Sequence, residues 1–168
     1  KTNESIYSAI IRGFSREMFS ELRAKFLMQI CERAQKGDAL AKKALGYGFL
    51  DRLKGITIKQ KAEDIIYDKN TISQEILRIY LGAHYSQHES AVIQNIISNS
   101  FDKVTNLDDL HGRLAAVCKF FHNLLGKVTL FELDELDAQE SSLEFVKSLI
   151  NAHIPASVLL LITTPSLY

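Results

Sequence analysis

The chain has 168 residues, 46% hydrophobic, 24% charged and 9% aromatic, with eight glycines and two prolines. That composition excludes a disordered, collagen-like or proline-rich polymer, and the length suits one domain that buries roughly two thirds of its unfolded surface without disulfide or metal staples. Twenty basic against twenty acidic side chains leave no net charge, which argues against a protein devoted to neutralising many phosphates. The charge is nevertheless uneven: residues 1–69 carry fourteen basic and nine acidic side chains, residues 70–168 six and eleven.

Met18, Leu22, Phe26 and Ile30 recur every four positions and predict a helix from about Ser15 to Lys36, ended by Gly37. Asp38 suits the cap of the next helix, which carries Leu40, Ala41, Ala44, Leu45, Leu50 and Leu53 and reaches Gly55. Within it, Gly46 and Gly48 read as a kink or a close helix contact. Thr57 before Gln60, Thr71 before Gln74, Ser86 before Glu89 and Asp137 before Glu140 share the spacing of a capping box. Each predicts a helix start. The expected apolar faces are Ile58, Ala62, Ile65 and Ile66, then Ile72, Ile76, Ile79 and Ala83, then Val92, Ile93, Ile96 and Ile97.

Thr105 or Asn106 precedes Asp108 and Asp109, which favour the positive end of a helix with Leu107, Leu110, Leu114, Val117, Phe121 and Leu124 on its apolar face, closed by Gly126. Residues 127–133 fit a short strand or an extended linker. A last clear helix runs from about Asp137 to Asn151 on Leu143, Val146, Leu149 and Ile150. For Ile154 to Ile162 a short helix begun by Pro155 is preferred over a buried strand. The apolar tail, residues 154–168, either closes the core or docks elsewhere. The stretch Ala34 to Tyr47, with its Gly37-Asp38-Ala39 turn, resembles one unit of a helical solenoid repeat. No second copy follows, so nothing is carried over from it.

His111, Cys118 and His122 fall on one helical face and form a zinc-competent set of donor types. Cys118 with His122 also has the four-residue spacing that lets a nucleophile touch a base, although no orienting group or oxyanion donors are identifiable. Glu132, Asp134, Glu135, Asp137, Glu140 and Glu144 lack the calcium-loop pattern and read as an exposed acidic helix start. Phosphate-loop and dinucleotide-binding glycine motifs do not occur. Cys31 and Cys118 have no paired spacing and fit a reducing, cytoplasmic compartment. No signal peptide and no membrane span are read: the longest apolar run, Val158 to Ile162, is far short of the roughly 18 residues a span needs.

These features predict an all-α fold, an irregular bundle or short helical array of about seven to eight helices. It is expected to be a single domain over residues 1–168, cut from a longer protein because it starts at Lys1. The expected function is protein–protein interaction without catalysis or cofactor, by burial of an apolar groove or helix face against another protein. Two alternatives stand beside it. One is a metal-binding enzyme or sensor using His111, Cys118 and His122. The other is a nucleic-acid or acidic-partner binder using the basic N-terminal half, through Lys42, Lys43, Lys59 and Lys61.

Overall fold

The computed structural model describes residues 10, 13–100, 110–133 and 140–162. These are mostly helical: α1 (Arg16–Gln35), α2 (Ala39–Ala44), α3 (Phe49–Leu53), α4 (Ile58–Ile66), α5 (Gln74–His84), α6 (Gln87–Ile97), α7 (Leu110–Leu125) and α8 (Glu140–Asn151). The remaining elements are two short strands, β1 (Thr129–Leu133) and β2 (Ser157–Leu161). The chain groups into two compact units, one of residues 16–101 and one of residues 1–15 with 102–168.

In the first unit α1 is the central helix, packed by α2, α4 and α6. It therefore buries Phe19, Leu22, Phe26, Leu27, Ile30, Cys31 and Ala34, a wider surface than the single four-residue stripe implies. Each fully buried Leu or Phe contributes about 1.5–3 kcal/mol, so this helix dominates the unit's core. Gly37, at φ 103°, turns the chain out of α1, and the Asp38 carboxylate accepts from the N–H groups of Leu40 and Ala41 to start α2. The single helix expected from Asp38 to Gly55 is two. Gly46, at φ 66°, ends α2, and the chain restarts at Gly48 as α3, which Gly55 (φ 73°) ends in turn. Gly46 in the left-handed region and Gly48 in an extended one, two weak helix formers two positions apart, make a break less costly than a continuous helix.

The Thr57 and Ser86 capping boxes form as expected, each hydroxyl accepting from the third helical N–H while Gln60 or Glu89 answers the cap's own N–H. Thr71 does not cap. Helix α5 starts at Gln74 with Ser73 as its cap residue, and the Ser73 side chain makes no capping hydrogen bond. The buried face of α5 is Leu77, Tyr80 and Leu81, while Ile79 is exposed. Two overlapping helical stripes exist in this segment, and the larger one won: Tyr80 packs edge-on to Phe26 of α1. Val92, Ile93, Ile96 and Ile97 of α6 are all buried, as their spacing predicts.

In the second unit Gly126 (φ 66°) closes α7, whose Leu114, Val117, Cys118 and Phe121 are buried. Phe14 stacks on Phe121 with ring centroids 5.3 Å apart. Strand β1 follows, as the alternation at 127–133 allows. The tail corrects the preferred short helix: residues 157–161 are strand β2, parallel to β1, with Phe131 opposite Leu159 and Leu133 opposite Leu161. The β-branched and leucine-rich run finds a partner strand there, and parallel strands require a crossover, which α8 supplies. Phe131, Leu149 of α8 and Leu159 line one small pocket, so the helix covers one face of the pair. The helix starts expected at Thr105 or Asn106 and at Asp137 lie outside the described residues.

Candidate functional site

The predicted zinc set does not assemble. His111 is half-buried and its Nε2 lies 2.6 Å from Ser148 Oγ on α8, Cys118 is fully buried, and His122 is exposed. Positions seven and eleven apart share a face, but at 1.5 Å per residue they stand about 10 and 16 Å along the axis, beyond the reach of one ion with bonds near 2 Å. Among the described residues no three His, Cys, Asp or Glu are grouped to hold a metal. Burial pushes the Cys118 thiol above its ordinary value, with a Thr129 hydrogen bond pulling the other way, and Cys31 is raised chiefly by burial too. Both cysteines are free and packed as small apolar side chains.

The His111–Ser148 pair is a contact that sequence spacing did not indicate, because the two lie 37 positions apart on different helices. It borders a shallow groove lined also by Gly112, Ala115, Asn151 and Ala152. An imidazole on a hydroxyl is the start of a nucleophile–base arrangement. Its placement opposes that chemistry: Ser148 lies in the last turn of α8, where carbonyl oxygens give the negative end of the helix dipole and disfavour a developing oxyanion. The pair ties α7 to α8.

The four candidate lysines are not four equivalent free cations. Lys61 Nζ lies 2.8 Å from Asp51 Oδ1 with both side chains largely buried, and Lys59 pairs more loosely with Glu63 at 3.7 Å. Lys43 is exposed and Lys42 half-buried. Of the acidic candidates, Glu132 and Glu144 are exposed, and the side chains of Asp134, Glu135, Asp137 and Glu140 lie outside the described residues.

Two exposed apolar surfaces stand out, one in each unit. In the first unit Phe49, Leu50 and Leu53 of α3 are 73%, 68% and 67% exposed, and α3 buries no residue at all. In the second, the register places Leu130 beside Val158 and Glu132 beside Leu160 on the face of the strand pair opposite Phe131 and Leu159. Leu130 is 58%, Val158 53% and Leu160 44% exposed. Parallel strands are normally covered on both faces, so a one-sided pair with an aliphatic open face is unusual. The alternation in β1 is legible in the sequence; that its outer set is apolar as well becomes meaningful only once β2 is known to be a strand. No protein-family model, curated protein or solved structure matches this chain.

Proposed function

We propose that the protein is an interaction module that docks a basic amphipathic helix of a partner protein on the open face of β1 and β2. The observation that carries this reading is the aliphatic surface of Leu130, Val158 and Leu160 left uncovered on a parallel strand pair. A helix is the element that ordinarily covers such a face, as α8 does on the other side. The charge around it selects the sign of the partner. Glu132 is the one charged side chain in β1 and β2 and lies on this face. Apolar burial supplies the affinity, and the Glu132 carboxylate sets approach and orientation.

The probe is a fluorescently labelled synthetic helix of alternating Leu and Lys pattern, titrated with the full chain and followed by anisotropy. The expected result is saturable binding that weakens at least about tenfold in a Leu130→Asp, Leu160→Asp variant. Since Asp adds negative charge, that loss reports lost apolar contact. A Leu/Glu helix of the same pattern is expected to bind more weakly. Equal binding of the Leu/Lys helix by wild type and variant overturns the assignment.

A further inference from the structure

Helix α3 has its polarity inverted. A surface helix ordinarily turns its apolar stripe to the core and its charges to water. At about 100° per residue, Phe49, Leu50 and Leu53 occupy one arc and Asp51 the opposite side. Here Asp51 faces the body of the unit, accepting from the Gly48 N–H at 2.9 Å and from Lys61 Nζ at 2.8 Å, while the apolar arc stands in solvent. The base of the turn is fixed on both sides. Gly46 and Tyr47 N–H groups bond back to Lys43 and Lys42 carbonyls, and Gly55 and Ile56 N–H groups bond back to Arg52 and Asp51. The turn is thus an exposed apolar tip with hydrogen-bonded ends.

Its surroundings are cationic. Of the six basic residues from Ala39 to Ala62, Lys61 pairs with Asp51 and Lys59 with Glu63, which leaves Lys42, Lys43, Arg52 and Lys54 to set the local charge. Arg52 and Lys54 are exposed on and beside the tip, and Lys43 is exposed just before it. We propose that the Gly46–Gly55 turn is a peripheral membrane anchor, inserting Phe49, Leu50 and Leu53 into the interfacial layer of an anionic bilayer while the basic collar meets the lipid headgroups. Three features select a bilayer over a protein groove. The three apolar side chains are each 67% or more exposed, so they project from the turn, and projecting apolar side chains suit insertion into a bilayer interface. The collar charge is of one sign and complements acidic lipid. Phe with Leu beside Lys and Arg is the composition that interfacial insertion uses. No described helix is long and apolar enough to cross a membrane; three apolar side chains on one turn give a superficial, reversible attachment. It is independent of the open strand face, which lies in the other unit.

The test is co-sedimentation of the full chain with phosphatidylcholine vesicles, with and without about one third phosphatidylserine. The expected result is partitioning at least about tenfold stronger on the anionic vesicles, falling as salt is raised. A Phe49→Asp, Leu50→Asp, Leu53→Asp variant, whose fold is checked by circular dichroism, is expected to lose about a hundredfold in partitioning. An Arg52→Glu, Lys54→Glu variant is expected to lose only the preference for anionic lipid. Wild type that fails to sediment with anionic vesicles, or an apolar variant that sediments as well as wild type, overturns the proposal. So does concentration-dependent self-association without vesicle binding that the apolar variant abolishes, since the tip then serves a second copy of the chain.

Discussion

Asn99 donates its side-chain amide to both carboxylate oxygens of Asp68, at 3.3 Å each, and the two residues share a left-handed backbone at φ 54°. Each turns the chain out of a helix, Asp68 after α4 and Asn99 after α6, so the C-terminal ends of two helices meet at one point. Asn and Asp tolerate this conformation better than other side-chain-bearing residues, and their mutual hydrogen bonds offset its cost. The buried Arg23 guanidinium joins them, donating to the carbonyls of Ile65, Ile66 and Ile97 and to Asp68. A fixed positive charge thus lies where two helix dipoles have their negative ends.

Arg23 is therefore expected to matter far more than its ion pair alone. Arg23→Met removes the side-chain donor from the Ile66 and Ile97 carbonyls, leaves Ile65 with the Asp68 N–H alone, and costs about 3 kcal/mol, read as the shift in urea midpoint. Asp68→Asn, which keeps a side chain suited to the left-handed backbone and removes the charge, costs about 1 kcal/mol or less, because the carboxylate is mostly exposed. Equal costs for the two would place the stabilising contact in the ion pair instead.

The helix caps divide into those that bond and one that does not. Thr57→Ala and Ser86→Ala each cost about 1 kcal/mol, since each hydroxyl satisfies a helical N–H. Ser73→Ala, at a cap residue whose side chain bonds no helical N–H, changes stability by about 0.3 kcal/mol or less. Thermal melts of the three variants side by side give the comparison.

Acid is expected to weaken the first unit in part through Asp38 and Asp51. The backbone N–H groups of Ala41 and Leu40 hold Asp38 below the ordinary carboxyl range, and Lys61 and the Gly48 N–H do the same for Asp51. Both groups bind protons less tightly folded than unfolded. Their stabilisation is complete above the ordinary Asp value of about 4 and drains away as pH falls through the lower folded values. An Asp38→Asn, Asp51→Asn variant is expected to show a flatter dependence of urea midpoint on pH below about 4.

Alkali acts on Tyr80 with the opposite sign. Burial pushes its phenol up to about 12, against some relief from Arg33. The unfolded chain ionises near the ordinary Tyr value of about 10. Stability from the neutral ring is full below that value and is lost as pH rises through the interval up to the folded one. Tyr80→Phe is expected to remove part of the fall in stability at high pH and to delete the last phase of the tyrosinate absorbance titration. An unchanged last phase would show that another tyrosine carries it.

Much of this molecule is written locally. The spacing of Val92, Ile93, Ile96 and Ile97, the Thr57 and Ser86 boxes, the Asp38 cap and the stops at Gly37 and Gly126 depend on contacts within about one helical turn, and those the sequence determined by itself. Other features depend on which surface a neighbour covers. Leu77, Tyr80 and Leu81 prevail over Ile76 and Ile79 because the first set meets α1 and α2. Residues 157–161 become a strand because β1 offers a hydrogen-bonding edge, and a leucine run has no periodicity that could announce it. Arg23 reads as one more surface cation until three distant carbonyls converge on it. The inside-out α3 and the open strand face are likewise decisions of the tertiary structure. Whether an apolar side chain is core or contact surface depends on what packs over it, which is a property of distant residues and not of its own neighbours in the chain.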